Sequence, residues 1–309
     1  MMKALVTGGA GFIGSHVADA LLKKGLKVEI IDNLSTGKRE NLPTGATFHQ
    51  LDIRDKEVHR IFAAGCFDVV FHLAAQMDVR KSVADPIFDA EANIIGGINL
   101  LQACKNHGVR KVIFSSTGGA IYGEQIAFPA DEEHPLNPCS PYGISKLAFE
   151  KYLAFYKMEF GLDFIALRYA NIYGPRQRGD GEAGVVSIFF DKLLTDGQAV
   201  IYGDGRQTRD FTYVADVVSA NLAALEYDGC GAFNVGTGHE TDINTLFDLI
   251  KEISGSKQPR IYRPARPGEQ KRSVIDYQKI KKCMGWHPRY DLRKGLEETA
   301  VYFREAVKR

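Results

Sequence analysis

Tyr142 and Lys146, four apart in Pro141-Tyr142-Gly143-Ile144-Ser145-Lys146, carry the plainest chemistry in the chain. If this stretch is helical, one turn puts both side chains on one face. A free phenol ionises near pH ~10, too high for a base at neutrality. A neighbouring ammonium favours the phenolate and brings that value down. Such a pair is suited to removing a hydroxyl proton while the carbon beneath it is oxidised.

An oxidation of that kind needs a hydride acceptor, and the N-terminus supplies a place for one. Thr7-Gly8-Gly9-Ala10-Gly11-Phe12-Ile13-Gly14 joins a strand-like run to a helical one, with glycines at 8, 9, 11 and 14. Glycine permits the tight turn and lets backbone approach a pyrophosphate without a Cβ between them. The helix N-terminus beyond, including the N–H groups of Phe12 and Ile13, offers donors and a positive dipole end. Asp32 ends the next apolar run, eighteen residues past Gly14. A carboxylate there accepts from the adenosine ribose hydroxyls and repels a 2′-phosphate, so NAD is expected over NADP. A third candidate is the hydroxyl-rich stretch Ser115-Ser116-Thr117-Gly118-Gly119 at a later strand tip. Thr117, or after it Ser116, is placed to bond the same substrate oxygen, although such clusters also satisfy turn backbones.

Those residues need a frame. Strand-like runs fall at 3–7, 27–31, 47–51, 68–73, 111–114 and 164–168, with helical patterns at 12–23, 57–64, 89–107 and 142–160 between them. This alternation predicts βαβ units: a Rossmann-type, doubly wound parallel sheet in an α/β fold, with ligands at the C-terminal ends of the strands. After Asn171 the pattern loosens. Turn-rich 173–181 and 263–268 read as loops, helices are expected at 186–195, 215–227, 243–253 and 293–307, and strands at 199–202 and 232–235. The length of 309 residues suits two lobes. We expect a dinucleotide-binding domain over 1–170 and a smaller mixed α/β substrate lobe over 171–309, with some segments returning to the first.

Composition excludes several alternatives. With 39 basic and 38 acidic residues and no long basic run, no nucleic-acid partner is expected. No stretch of about 18 apolar residues suggests a membrane span. The N-terminal run resembles a signal segment for only four residues before the glycines begin. Five dispersed cysteines without a C-x-x-C read as reduced thiols, and eight dispersed histidines give no metal motif. A cytoplasmic, metal-free chain is expected.

Together these residues resemble the extended short-chain dehydrogenase/reductase family, most closely its UDP-glucose 4-epimerase branch. The likeness spans essentially the whole chain. It includes Leu51-Asp52-Ile53-Arg54-Asp55, His72-Leu73-Ala74-Ala75, Asn93, Arg168-Tyr169-Ala170-Asn171-Ile172-Tyr173-Gly174-Pro175, Arg209-Asp210-Phe211-Thr212-Tyr213-Val214 and Arg266-Pro267-Gly268-Glu269.

The resemblance implies residue roles. Asp32, Asn33, Ser35, Thr36 and Gly37 would hold the adenosine ribose and its phosphate, while Asp52 and Ile53 would flank the adenine. Leu73, Ala74, Ala75, Asn93 and Ser115 would lie along the cofactor. Lys146 would bond the nicotinamide ribose, and Tyr169 would pack beside the ring. Asn171, Arg209 and Arg266 would meet a nucleotide sugar's diphosphate, a task suited to the arginine fork. Tyr202 would lie near the uracil, and Glu269 would join the substrate side.

The family's 4,6-dehydratases carry an Asp-Glu pair after the strand-tip threonine, where this chain has Gly118 and Gly119. The resemblance therefore implies oxidation and re-reduction of a UDP-hexose at C4, in a homodimer. Thr117 to Tyr122 is one residue longer than in the best-known bacterial members. The small Ser273, seven beyond Arg266, implies room for N-acetylhexosamines as well. The alternatives are a 4-epimerase of UDP-glucuronate or another nucleotide sugar, and a non-catalytic NAD sensor, which the intact Tyr142 and Lys146 disfavour.

Overall fold

The computed structural model describes residues 1–179, 184–265 and 270–307. Its centre is a seven-stranded parallel sheet. The first half comprises β1 (Lys3–Thr7), α1 (Phe12–Lys23), β2 (Lys27–Asp32), β3 (Thr47–Gln50), α2 (Val58–Gly65) and β4 (Val69–His72). There follow α3 (Val79–Ala84), α4 (Pro86–Ala90), α5 (Gly96–Asn106), β5 (Lys111–Thr117), α6 (Gly118–Ile121), α7 (Pro141–Phe160) and β6 (Asp163–Tyr169).

The remainder comprises β7 (Asn171–Tyr173), α8 (Val185–Leu194), β8 (Val200–Tyr202), β9 (Thr208–Arg209), β10 (Phe211–Tyr213), α9 (Val214–Glu226) and β11 (Gly231–Val235). The chain closes with β12 (Thr241–Asp242), α10 (Ile243–Ser254), β13 (Ile261–Arg263), β14 (Arg272–Ser273), α11 (Gln278–Met284) and α12 (Leu292–Val307).

The strand order β11-β6-β5-β4-β1-β2-β3 reverses between β1 and β4, which opens a crevice at their C-terminal ends. Side chains alternate across each strand, so each strand feeds two cores. In β1, Ala4 and Val6 join a layer with Val17, Leu21, Val217 and Trp286, while Leu5 joins Phe62, Leu100 and Leu153 on the other face. Such strands, buried on both faces, read as the continuous apolar runs seen in the sequence. A third core, with Phe189, Phe190, Leu246, Phe247 and Leu296, holds α8, α10 and α12 together. The expected α/β doubly wound fold is the one observed.

The helix expected over 89–107 is not continuous. It begins earlier, at Pro86, with Asp85 capping the Phe88 N–H, and then passes through a π-helical turn at Glu91–Ile95 before α5. The wider turn re-aims Asn93 toward the loop after β4, as π-turns at functional sites do. Two expected loops also shorten: Tyr173 ends β7, and Arg263 ends β13, which pairs in parallel with β8. Among the described residues, no helix is long and apolar enough to cross a membrane, and no cluster of His, Cys, Asp and Glu could hold a metal. The five cysteines are unpaired.

Candidate functional site

The glycine loop forms a tight cradle. Gly8 has φ 73°, in the left-handed region where a Cβ is strained, and a Cβ there would stand 2.7 Å from the Ala74 nitrogen. Gly14 is pressed harder: its Cβ would lie 2.1 Å from the Gly8 carbonyl oxygen, which receives the Gly11 N–H at 3.1 Å. Gly11 sits at the N-cap of α1, with no side-chain cap and no acid in the first turn. The first N–H groups of that helix, those of Phe12 and Ile13 among them, and its positive end suit an anion.

Asp32 is buried at the tip of β2. Its Oδ2 accepts the Ala10 N–H at 3.0 Å and its Oδ1 the Leu34 N–H at 2.8 Å. Both oxygens keep lone pairs for a ribose diol, since an ionised carboxylate accepts about four bonds. Gly37 folds over this acid; a Cβ on it would come within 2.9 Å of Oδ1. Asn33 reaches Asp52 at 2.8 Å and accepts the Ser35 N–H, while Thr36 lends its carbonyl to Arg178. Asp52 also takes three hydrogen bonds from Arg54, which hold its carboxyl down at about 2. Ile53 is buried and packs against Gly96. Leu73 and Ala74 are tied to Thr7 through the carbonyl and hydroxyl of that residue, so the run toward Ala75 borders the crevice. These elements fit a dinucleotide.

Tyr142 and Lys146 occupy the first turns of α7, whose N-cap Ser140 accepts the Gly143 N–H. The Tyr142 backbone N–H is further bound by Ser82 Oγ of α3 at 3.2 Å. Lys146 is buried, donates from Nζ to the Ser115 carbonyl at 2.8 Å, and lies 4.7 Å from the Phe114 ring centre and 5.8 Å from that of Tyr142. Burial brings its ammonium down to about 7, against the opposing charges of Asp89 and Glu150. Burial likewise pushes the Tyr142 phenol above its ordinary value; Asp89 adds to the shift and a hydrogen bond with Thr117 opposes it.

The two candidate hydroxyls separate here. Ser116 is buried and gives its proton to Glu150 Oε1 at 2.5 Å. Thr117, at the end of β5, is the one that meets Tyr142. Gly118 is jammed, since a Cβ would lie 2.8 Å from Ile275, but Gly119 has room for a Cβ. A Cβ at Gly119 would have only Thr117 Oγ1 and Asn171 Oδ1 within reach, both at 3.9 Å.

Asn171 leads from there into a cleft of ≈1140 Å³, lined also by Lys38, Arg178, Tyr202, Gln207 and Arg209. Cations and amides dominate that side, as an anionic ligand requires. Ser273 is buried beside Arg209 in β14 and is not among the cleft's described lining. Arg266 and Glu269 lie outside the described residues.

Two placements qualify the sequence reading. Asn93 spends its amide on protein groups: Oδ1 accepts the Gln76 N–H at 2.8 Å, and Nδ2 donates to the Gln76 carbonyl and to Asp89. Tyr169 is buried in a core layer, its hydroxyl bound by Asn221 Nδ2 at 2.8 Å and by Ser115. The residues missed are those behind the site: Ser82, Asp89 and Glu150. Glu150 could have been found as the acid one turn beyond Lys146, and Asp89 as the acid one turn before Asn93.

The model of the NAD dependent epimerase/dehydratase family matches residues 4–236. The chain is 42% identical to a UDP-glucose 4-epimerase of Mycolicibacterium smegmatis, over 98% of this chain and 99% of that one. Its fold superposes, at TM-score 0.98 and 50% identity, on the crystal structure of UDP-glucose 4-epimerase with UDP-glucose from Thermotoga maritima, covering 99% and 100% of the two chains. A Thermus thermophilus UDP-glucose 4-epimerase in complex with NAD matches at TM-score 0.94 and 45% identity, over 99% and 100%. With its glycine cradle, ribose-side acid and Tyr142–Lys146 pair in these positions, the chain belongs to the NAD dependent epimerase/dehydratase family.

Proposed function

We propose that the chain is a UDP-glucose/UDP-galactose 4-epimerase. One observation carries the choice within the family: the two positions after Thr117, where the dehydratases carry their acid pair, are Gly118 and Gly119, which bring no carboxyl for elimination or decarboxylation. A site with a proton acceptor but no second acid moves hydride out and back.

The glycine loop, Asp32, Asn33 and Lys146 would hold NAD, which would supply the acceptor and later donor of that hydride. Tyr142 takes the C4 hydroxyl proton, with Thr117 bonding the same oxygen and fixing its direction. Lys146 in its ammonium form favours the phenolate that this transfer needs. Asn171, Arg209 and Arg266 hold the diphosphate, so that the 4-keto sugar can turn about this tether and present its other face. Tyr142 then returns the proton to the same C4 oxygen, now on a carbon of inverted configuration. Residues 1–170 hold the cofactor and 171–309 mainly the sugar nucleotide, with β11 lent back to the sheet.

Incubating the purified protein with UDP-galactose and NAD, and resolving the products, tests the reading. UDP-glucose is the expected product, and no interconversion from either side overturns it. Turnover of UDP-glucuronate alone would favour the alternative epimerase. Activity on UDP-N-acetylhexosamines too rests on the resemblance at Ser273, which is buried outside the cleft's described lining; S273Y should then lose the N-acetyl substrate while keeping the plain hexose.

A homodimer is part of the proposal. Ile144, Tyr152 and Phe155 lie along one exposed face of α7, near exposed Ile87 and Ile95. An apolar face of this kind marks an interface. Sedimentation should give twice the chain mass, and F155E should give one. The five unpaired cysteines support work in a reducing compartment such as the cytoplasm.

A further inference from the structure

Asp89 is fully buried in α4 yet carries a carboxylate. Three donors reach it: Ser145 Oγ of the catalytic helix at 2.6 Å, Gln76 Nε2 of the loop after β4 at 2.9 Å, and Asn93 Nδ2 of the π-helical turn at 3.0 Å. All three are uncharged. Hydrogen bonds of this kind make a buried anion tolerable without cancelling its charge.

Lys146, the residue after Ser145, is a buried cation within its field. The groups facing Lys146 come from four elements. On α7 these are Tyr142 and Glu150; from β4 comes His72, from β6 Arg168 through its pairing with Glu150, and from α4 Asp89. His72 is neutral, because burial lowers its pKa to about 3. Glu150 is already matched by Arg168 through two bonds, at 3.1 and 2.7 Å. Among the described residues, Asp89 is then the acid facing Lys146 that has no cation of its own bonded to it.

We infer that Asp89 is a positioning residue whose negative charge, placed by Ser145, Gln76 and Asn93, keeps Lys146 in its ammonium form and so sets the pH range in which the Tyr142–Lys146 pair works. The inference rests on the proposed function only in taking that pair as the proton-handling one. The same charge acts on both members with the same sign. It favours the protonated lysine and disfavours the ionised phenol, so its removal moves both titrations to lower pH.

The test is the pH dependence of kcat for D89N and D89E. D89N should move the whole profile toward acid by about one pH unit, the size of shift that one nearby charge produces. D89E, which keeps the charge, should restore the wild-type limbs even if its rate is reduced. An equal loss of kcat at every pH, with unmoved limbs, means a merely structural role and overturns the inference. A second readout needs no substrate: the ultraviolet phenolate absorbance of Tyr142, obtained as the difference between each protein and the same protein carrying Y142F. The phenolate should appear at lower pH in D89N, and an unchanged midpoint overturns the proposal. If D89N does not fold, D89S, with room for a water in the vacated space, takes both measurements. Failure of wild-type epimerisation would sink the functional reading instead, and the phenolate titration would then judge Asp89 alone.

Discussion

Ser116 Oγ donates to Glu150 Oε1 at 2.5 Å, while Glu150 also receives Nε and Nη2 of Arg168. The hydroxyl one residue before the site thus belongs to a buried network that continues through Arg168 to the Tyr122 hydroxyl and on to Asn234. Adjacent strand residues point to opposite faces. Ser116 follows Val112 and Phe114 toward α7, which leaves Thr117 at the strand end for Tyr142.

The two hydroxyls should therefore fail differently. T117A should lower kcat by about 10²-fold, the lower end for a general acid–base contribution, with little change in melting temperature. S116A should cost about 1–3 kcal/mol of stability by leaving buried Glu150 short of a donor. Thermal unfolding and steady-state rates on the same two proteins check both. A larger rate loss in S116A than in T117A would reverse the assignment.

Tyr142 is expected to be the proton-transfer group itself. Y142F should reduce turnover by about 10⁴-fold, the upper end for such groups, and leave NAD bound. The bound fraction follows from the nicotinamide released on acid denaturation. Loss of cofactor together with activity would instead give the hydroxyl a binding role.

The Glu150–Arg168 pair is almost wholly enclosed, with side chains 7% and 6% exposed. Breaking such a pair leaves one charge without its partner and costs about 3–5 kcal/mol. E150A should show that loss in urea denaturation. The double replacement E150M/R168M should recover much of it, because hydrophobic residues of similar volume remove both charges at once.

The legible part of this molecule was local. β1, the glycines, α1 and Asp32 follow one another within a single βαβ unit, so pattern and turn chemistry are enough to place them. Tyr142 and Lys146 are one helical turn apart and need no tertiary knowledge. The illegible part depends on contacts between distant segments. Nothing near Asp89 in the chain announces that Ser145, 56 positions later, will bind its carboxylate. Thr117 comes ahead of Ser116 on sequence alone, but what sets Ser116 aside, its bond to Glu150 34 positions on, lies in a distant contact. Short strands such as β9 and β14 lack enough residues to show an alternation, yet their pairing sets Arg209 beside Ser273. The π-helical turn is not legible because its apolar spacing resembles that of the helices it interrupts.

His72 gives a final prediction about acid stability. The ring lies within the core at the end of β4, 5.5 Å from the Phe114 ring and 5.1 Å from Phe149, with Nδ1 2.8 Å from Thr7 Oγ1. Burial, followed by the charge of Lys146, lowers its pKa from 6.5 to about 3. Between those values the unfolded chain binds a proton that the folded one refuses, so stability falls as the pH falls. Below the folded value both states are protonated and the contribution levels off. One such proton gives a limiting slope of about 1.4 kcal/mol per pH unit. H72Q removes the imidazole, so wild type minus H72Q should lose stability from pH ~6.5 downward and be flat above it. Denaturant unfolding of both proteins across that range measures the difference. A flat difference throughout would mean that the ring takes up its proton without unfolding, and that the core around Phe114 and Phe149 admits water.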